Sequence, residues 1–145
     1  MKLIRMLLLI LHGLTGLGAL AGGYACIVDP QSPLGAPASL LQGSPFDSFM
    51  VPGLVLFGLF GIGNLLALFF LVRTCRWYGY AGVVLGAGMM IWIFVQVMVI
   101  DALETLHVVF FLVGVFQAIG SYGMLSRARM FPTGMIDHVL RRRRP

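Results

Sequence analysis

The sequence predicts an all-α, polytopic membrane protein: four transmembrane helices in an antiparallel bundle, with both termini cytoplasmic. Three observations carry that expectation. Hydrophobic residues make up 59% of the 145 and charged residues 10%, with a mean hydropathy of +0.97, which leaves too little polar surface for a water-soluble domain. Four apolar runs, over about residues 3–27, 50–72, 77–100 and 103–124, are each long enough to cross about 30 Å of hydrocarbon at ~1.5 Å rise per residue. In a four-span layout Lys2, Arg5, Arg73, Arg76, Arg127, Arg129 and Arg141–Arg144, all 10 basic residues, fall on one side. Asp29, Asp47, Asp101 and Glu104 fall on the other. Lys and Arg are retained in the cytoplasm during insertion, so this asymmetry sets the orientation.

The first run begins after Lys2, with Arg5 near its start. Signal peptides begin the same way, and Ala19-Leu20-Ala21 has the form of a cleavage site. The run is longer than a usual signal core and is read as a helix. Tyr24-Ala25-Cys26 is a poor acylation site, because Gly23 and Tyr24 stand where an aliphatic and a small residue belong. The outer loop over residues 28–48 holds Pro30, Pro33, Pro37 and Pro45 with Gly35 and Gly43, a density that breaks regular helices. Residues 36–42 can still make a turn or two of surface helix. A loop of this length serves as a lid, a partner-binding surface or a tether.

The second and third runs form a hairpin around Arg73-Thr74-Cys75-Arg76. Trp77, Tyr78 and Tyr80 follow it and are expected to anchor the hairpin at the interface, where amphipathic rings sit. The fourth run starts a few residues later, around Asp101. Residues 1–125 thus make the membrane domain and residues 126–145 a basic cytoplasmic tail, with a short interfacial helix over residues 135–140. Arg141, Arg142, Arg143 and Arg144 are expected to contact anionic phospholipid. Nucleic acid is not an expected partner, since the basic residues sit at helix ends rather than on one surface. Cys26 and Cys75 lie roughly a membrane thickness (~30 Å) apart, too far for a disulfide, which argues against quinone-linked thiol oxidation.

Each run carries its polar residues on a stripe of small ones, at spacings of three and four. The stripes are His12, Gly16, Ala19 and Gly23 on the first; Phe57, Gly61, Asn64 and Leu68 on the second; Gly79, Gly82, Gly86, Met89, Ile93 and Gln96 on the third; and His107, Phe110, Gly114, Gln117 and Ser121 on the fourth. Small residues let spanning helices approach closely, so Gly16, Gly61, Gly79, Gly82, Gly86 and Gly114 are the expected packing positions. Depth then sorts the polar groups. His12, Asn64 and Gln117 come out roughly 10–14 Å above the cytoplasmic boundary and form an inner layer. Gln96, Asp101, Glu104 and His107 form an outer one.

The inner layer reads first as a hydrogen-bonded core fixing helix register, and otherwise as a site for a quinone, lipid or small amphiphile. Shared haem ligation is unfavourable, since His12 and His107 differ by roughly 10 Å along the normal. In the outer layer Asp101 reads as a helix N-cap with Glu104 as its capping-box partner; proton or cation handling and a metal site with His107 are the sharper alternatives. No metal, cofactor or catalytic residue is expected.

Pro45-Phe46, Phe49, Pro52-Gly53-Leu54, Phe57 and Gly61-Ile62-Gly63-Asn64, followed by the glycine-rich segment from Tyr80 to Gly88 and by Trp92 to Gln96, resemble a widespread group of small bacterial four-helix membrane proteins. The resemblance implies a bacterial inner-membrane protein and no particular activity. Small multidrug exporters fit poorly, because they carry an acid deep in helix one where this chain has His12. The expected function is therefore a non-enzymatic accessory or assembly protein, partnered by lipids and by a membrane protein or a second copy. The alternative is a carrier or binding protein for a small hydrophobic or protonatable ligand. A continuous cavity from His12 to His107 would favour the carrier, and a filled interior the scaffold.

Overall fold

In a computed structural model, which describes residues 2–128, the chain forms four helices long and apolar enough to cross a membrane: α1, Lys2–Val28; α2, Met50–Val72; α3, Tyr78–Ile100; and α4, Thr105–Arg127. No strand occurs among the described residues. The interfacial helix expected over residues 135–140 and the lipid contacts expected of Arg141–Arg144 lie outside them. Helix is the solution this composition dictates, because hydrocarbon offers the backbone no partner and a helix satisfies its own N–H and C=O groups. Pro52 sits in the first turn of α2, where a missing N–H costs nothing. Large apolar side chains such as Leu14, Leu17, Val84, Ile91, Phe94 and Ile119 point outward, each more than 60% exposed.

The helices pack as a ring in which α1 adjoins α2 and α4, and α3 adjoins α2 and α4, while the backbones of diagonal helices stay apart. Along α1 and α2 the pairs run from Arg5, which donates to the Leu71 carbonyl at 2.9 Å, through His12 and Asn64 and Gly16 beside Leu65, to Gly23 beside Gly53 and Phe57. Along α3 and α4, Gly79 meets Leu125, Gly82 meets Ser121, and Gly86 meets Ala118 and Gly114. The closest approach to a neighbouring backbone is at Gly86, where an added Cβ would lie 2.5 Å from the Ala118 nitrogen and 2.6 Å from the Gly114 oxygen. Only a residue without a side chain permits that backbone contact.

Two details depart from regularity. Within α2, residues Leu56–Ile62 widen into π-helical turns. The segment between α1 and α2 carries two 3-10 turns, Pro33–Gly35 and Ala38–Leu41, the second falling inside the stretch expected to make surface helix. This loop is closed on itself by bonds from the Phe49 N–H to the Pro30 carbonyl at 2.9 Å and from the Ala38 N–H to the Gln31 carbonyl at 2.8 Å. It lies against α1 and α3 with Pro33 and Leu41 buried. We call this end of the bundle the loop side and the end at Arg73–Arg76 the turn side.

The α3–α4 junction corrects the expectation for Asp101. Asp101 closes α3 in the left-handed conformation, φ 52° and ψ 34°, and does not cap α4. Glu104 is the N-cap, extended at φ −93° and ψ 154°, and its N–H donates to His107 Nδ1 at 3.1 Å. A residue spent on reversing the chain cannot also open the next helix, so α4 starts at Thr105, two residues later than the apolar pattern indicates.

Candidate functional site

The turn-side half of the interior is a polar cluster drawn from all four helices. His12, Asn64, Gln117 and Ser121 are each 0% exposed and Tyr78 2%. The stripes explain the convergence, since each of these residues lies on the small-residue face of its helix and cannot face hydrocarbon without cost. The three residues expected as the inner layer, His12, Asn64 and Gln117, meet here.

Asn64 sets the direction of the whole set. Its Nδ2 donates to the Phe60 carbonyl, at the end of the π-helical turns, at 2.7 Å. Oδ1 is therefore the accepting atom, and it takes His12 Nδ1–H at 2.7 Å and Gln117 Nε2–H at 3.0 Å. With the proton on Nδ1, the 3.2 Å approach of Gln117 Nε2 to that nitrogen is a contact and not a bond. His12 Nε2 then accepts from the Tyr78 hydroxyl at 3.2 Å, and the Tyr78 oxygen accepts from Ser121 Oγ at 3.0 Å. The ring of Tyr78 stands edge-on to His12 with centroids 5.7 Å apart. Every partner of His12 is uncharged. Gln117 Oε1 is buried without a partner among the described residues.

Tyr78 corrects the reading of Trp77, Tyr78 and Tyr80 as a common interfacial belt. Trp77 is 58% exposed, with the Arg76 guanidinium 5.6 Å from its ring, as an interfacial side chain is. Tyr78 points inward because it shares a face with Gly82, Leu85 and Met89 at spacings of four, three and four. That period was present in the sequence. Thr15, 3% exposed and one turn from His12, was likewise missed on a stripe already recognised.

On the loop side a half-open pocket lies between the helices, with Gly18 and Leu106 exposed at its rim. A cavity of about 290 Å³ is lined by Thr15, Gly18, Ala19 and Gly22 of α1, Leu56 of α2, Met89, Trp92, Ile93 and Gln96 of α3, and Leu106, His107 and Phe110 of α4. A second space of about 250 Å³ shares the walls at Gly22, Leu56, Trp92 and Gln96, and is roofed by Leu34, Leu41, Phe46 and Phe49 of the loop and the start of α2. Both are apolar apart from a few groups, the composition of a small-molecule site. His107 accepts at Nδ1 from the Glu104 N–H, which leaves its ring proton on Nε2.

The expected outer layer divides. Gln96 and His107 line the same cavity. Asp101 and Glu104 are exposed at the α3–α4 junction and form no part of its wall. Among the described residues no three His, Cys, Asp or Glu side chains gather in a way that could hold a metal ion. His12 and His107 stand in separate groups, one in the sealed cluster and one on the cavity wall. No family model, curated protein or solved structure matches the chain.

Proposed function

We propose that this chain is a non-enzymatic integral membrane protein that holds one small apolar ligand with a polar end beneath the loop. One observation carries the reading: the loop-side cavity runs from His107 and Gln96 to Thr15 and stops one helical turn short of His12. It satisfies neither expectation in full. A through-path would reach the His12 cluster, and a pure scaffold would be filled along its whole length. A pocket that is open at Gly18 and Leu106 and reaches in to Thr15 suits a binder that holds its ligand at one end of the bundle. Gln96 and His107 supply hydrogen-bonding groups for the ligand's polar end, and Met89, Trp92, Ile93 and Phe110 the apolar wall.

The placement belongs to the same proposal. The helices run antiparallel in the cytoplasmic membrane of a bacterium, with both termini and the Arg73–Arg76 turn in the cytoplasm and the loop outside. The one-sided basic residues support this orientation, and the pairing of Arg5 with Leu71 and of Gly23 with Gly53 supports the antiparallel course. The closely packed turn-side half favours a second reading, an accessory or assembly partner that works without a ligand.

The two are separated by purifying the protein in mild detergent and identifying bound small molecules and proteins by mass spectrometry. Gly18 lies exposed at the rim of the cavity, and a Cβ there meets nothing within 4 Å, so Gly18→Leu is expected to obstruct the cavity without disturbing packing. A stoichiometric lipid, quinone or similar amphiphile on the wild type, lost in Gly18→Leu with thermal stability retained, supports the binder. A ligand-free wild type that co-purifies with a membrane protein overturns it in favour of the assembly reading.

A further inference from the structure

We propose that the lipid-facing groove between α1 and α4 on the turn side binds one anionic phospholipid, an acyl chain lying along the groove and the phosphate resting on Arg127. This site is separate from the loop-side cavity. The groove has a volume of about 620 Å³ and is walled by Leu7 and Leu11 of α1 and Phe116, Ile119 and Gly123 of α4, with Arg127 at its end. The two helices touch at its floor, where Gly120 faces Leu8. No third element of the described chain covers it.

Charge selects the occupant. Arg127 is exposed at the end of α4, while Arg5 of α1 is held by the carbonyls of Leu71 and Val72 at 2.9 and 3.3 Å. The described acids, Asp29, Asp47, Asp101 and Glu104, all belong to the loop-side ends, so no carboxylate among the described residues neutralises the turn side. A phospholipid matches both features together, an apolar chain for the groove and an anion at headgroup depth for the guanidinium. A second copy of the chain matches only the first. A two-fold interface sets the same patch against itself, which brings the two Arg127 side chains to one depth with like charge.

The test is native mass spectrometry of the full chain in mild detergent, titrated with phosphatidylglycerol or with phosphatidylcholine of the same acyl composition. The expected result is one tightly retained phosphatidylglycerol and a preference over phosphatidylcholine of about fivefold, the factor that one Arg near a lipid surface contributes. Arg127→Gln lowers the preference of the retained lipid while chain binding persists. Gly123→Leu, at a position where a Cβ meets nothing within 4 Å, abolishes retention of both lipids. Gly58→Leu on α2, equally unhindered, and Gly18→Leu in the cavity leave retention unchanged. Unaltered selectivity in Arg127→Gln overturns the proposal. So does a Gly123→Leu protein that keeps the lipid, or one that changes only from dimer to monomer.

Discussion

Asn64 accepts from His12 and Gln117, so a leucine in its place takes the acceptor from buried donors on two other helices, while the Phe60 carbonyl keeps its backbone partner. Stranded buried polar groups cost about 1–3 kcal/mol, and Asn64→Leu is expected to lower stability by that much in thermal unfolding in detergent. Tyr78→Phe removes one hydroxyl between His12 and Ser121 and is expected to cost about 0.6 kcal/mol, the average for hydrogen bonds between spanning helices. Trp77→Phe, one residue away and exposed, should change stability by less than about 0.5 kcal/mol. Equal losses from the two aromatic substitutions would contradict the inward placement of Tyr78. His12, Asn64 and Gln117 were legible in the sequence because a polar side chain on a small-residue stripe has nowhere else to go. Tyr78 was not, since an aromatic at the edge of an apolar run satisfies two rules at once, interfacial anchoring and the packing period, and only the neighbouring backbones decide between them.

At the scale of elements, the α3–α4 junction shows where pattern reading stops. Apolar periodicity locates a helix but is blind to the hand of the residue that ends it. Asp101 at φ 52° is therefore a structural fact beyond the pattern, and it displaces the cap of α4 to Glu104 and His107. A short polar side chain tolerates the left-handed region, glycine occupies it without strain, and a β-branched residue does not. Asp101→Gly is expected to be neutral or stabilising, and Asp101→Val to cost about 1–2 kcal/mol by the same thermal measurement. Identical behaviour of the two would mean that the left-handed turn is absent. The π-helical turns at Leu56–Ile62 left no trace in the sequence either, because apolar residue types do not distinguish a backbone bond that spans four residues from one that spans five.

At the scale of the whole molecule, the four spans and their faces were legible because length and hydropathy alone separate membrane helices from everything else. The cavity was not, since an empty volume depends on how far two helices splay and no residue type announces it. The proposed orientation has a direct check. With Cys26 replaced by serine, an impermeant maleimide applied to intact cells should leave Cys75 unlabelled and should label it in inverted vesicles. Ser39→Cys in a cysteine-free background should behave oppositely. Labelling of both positions from one face would contradict the four-span layout.

The uneven filling of the bundle also has a mechanical meaning. The hydrogen bonds among His12, Asn64, Tyr78, Gln117 and Ser121 tie all four helices together at one level, while the pockets of about 290 and 250 Å³ adjoin at the other end. If the proposed ligand sits beneath the loop, crowding the surrounding acyl chains is expected to change its occupancy while the helix crossings at His12 and Asn64 keep their register.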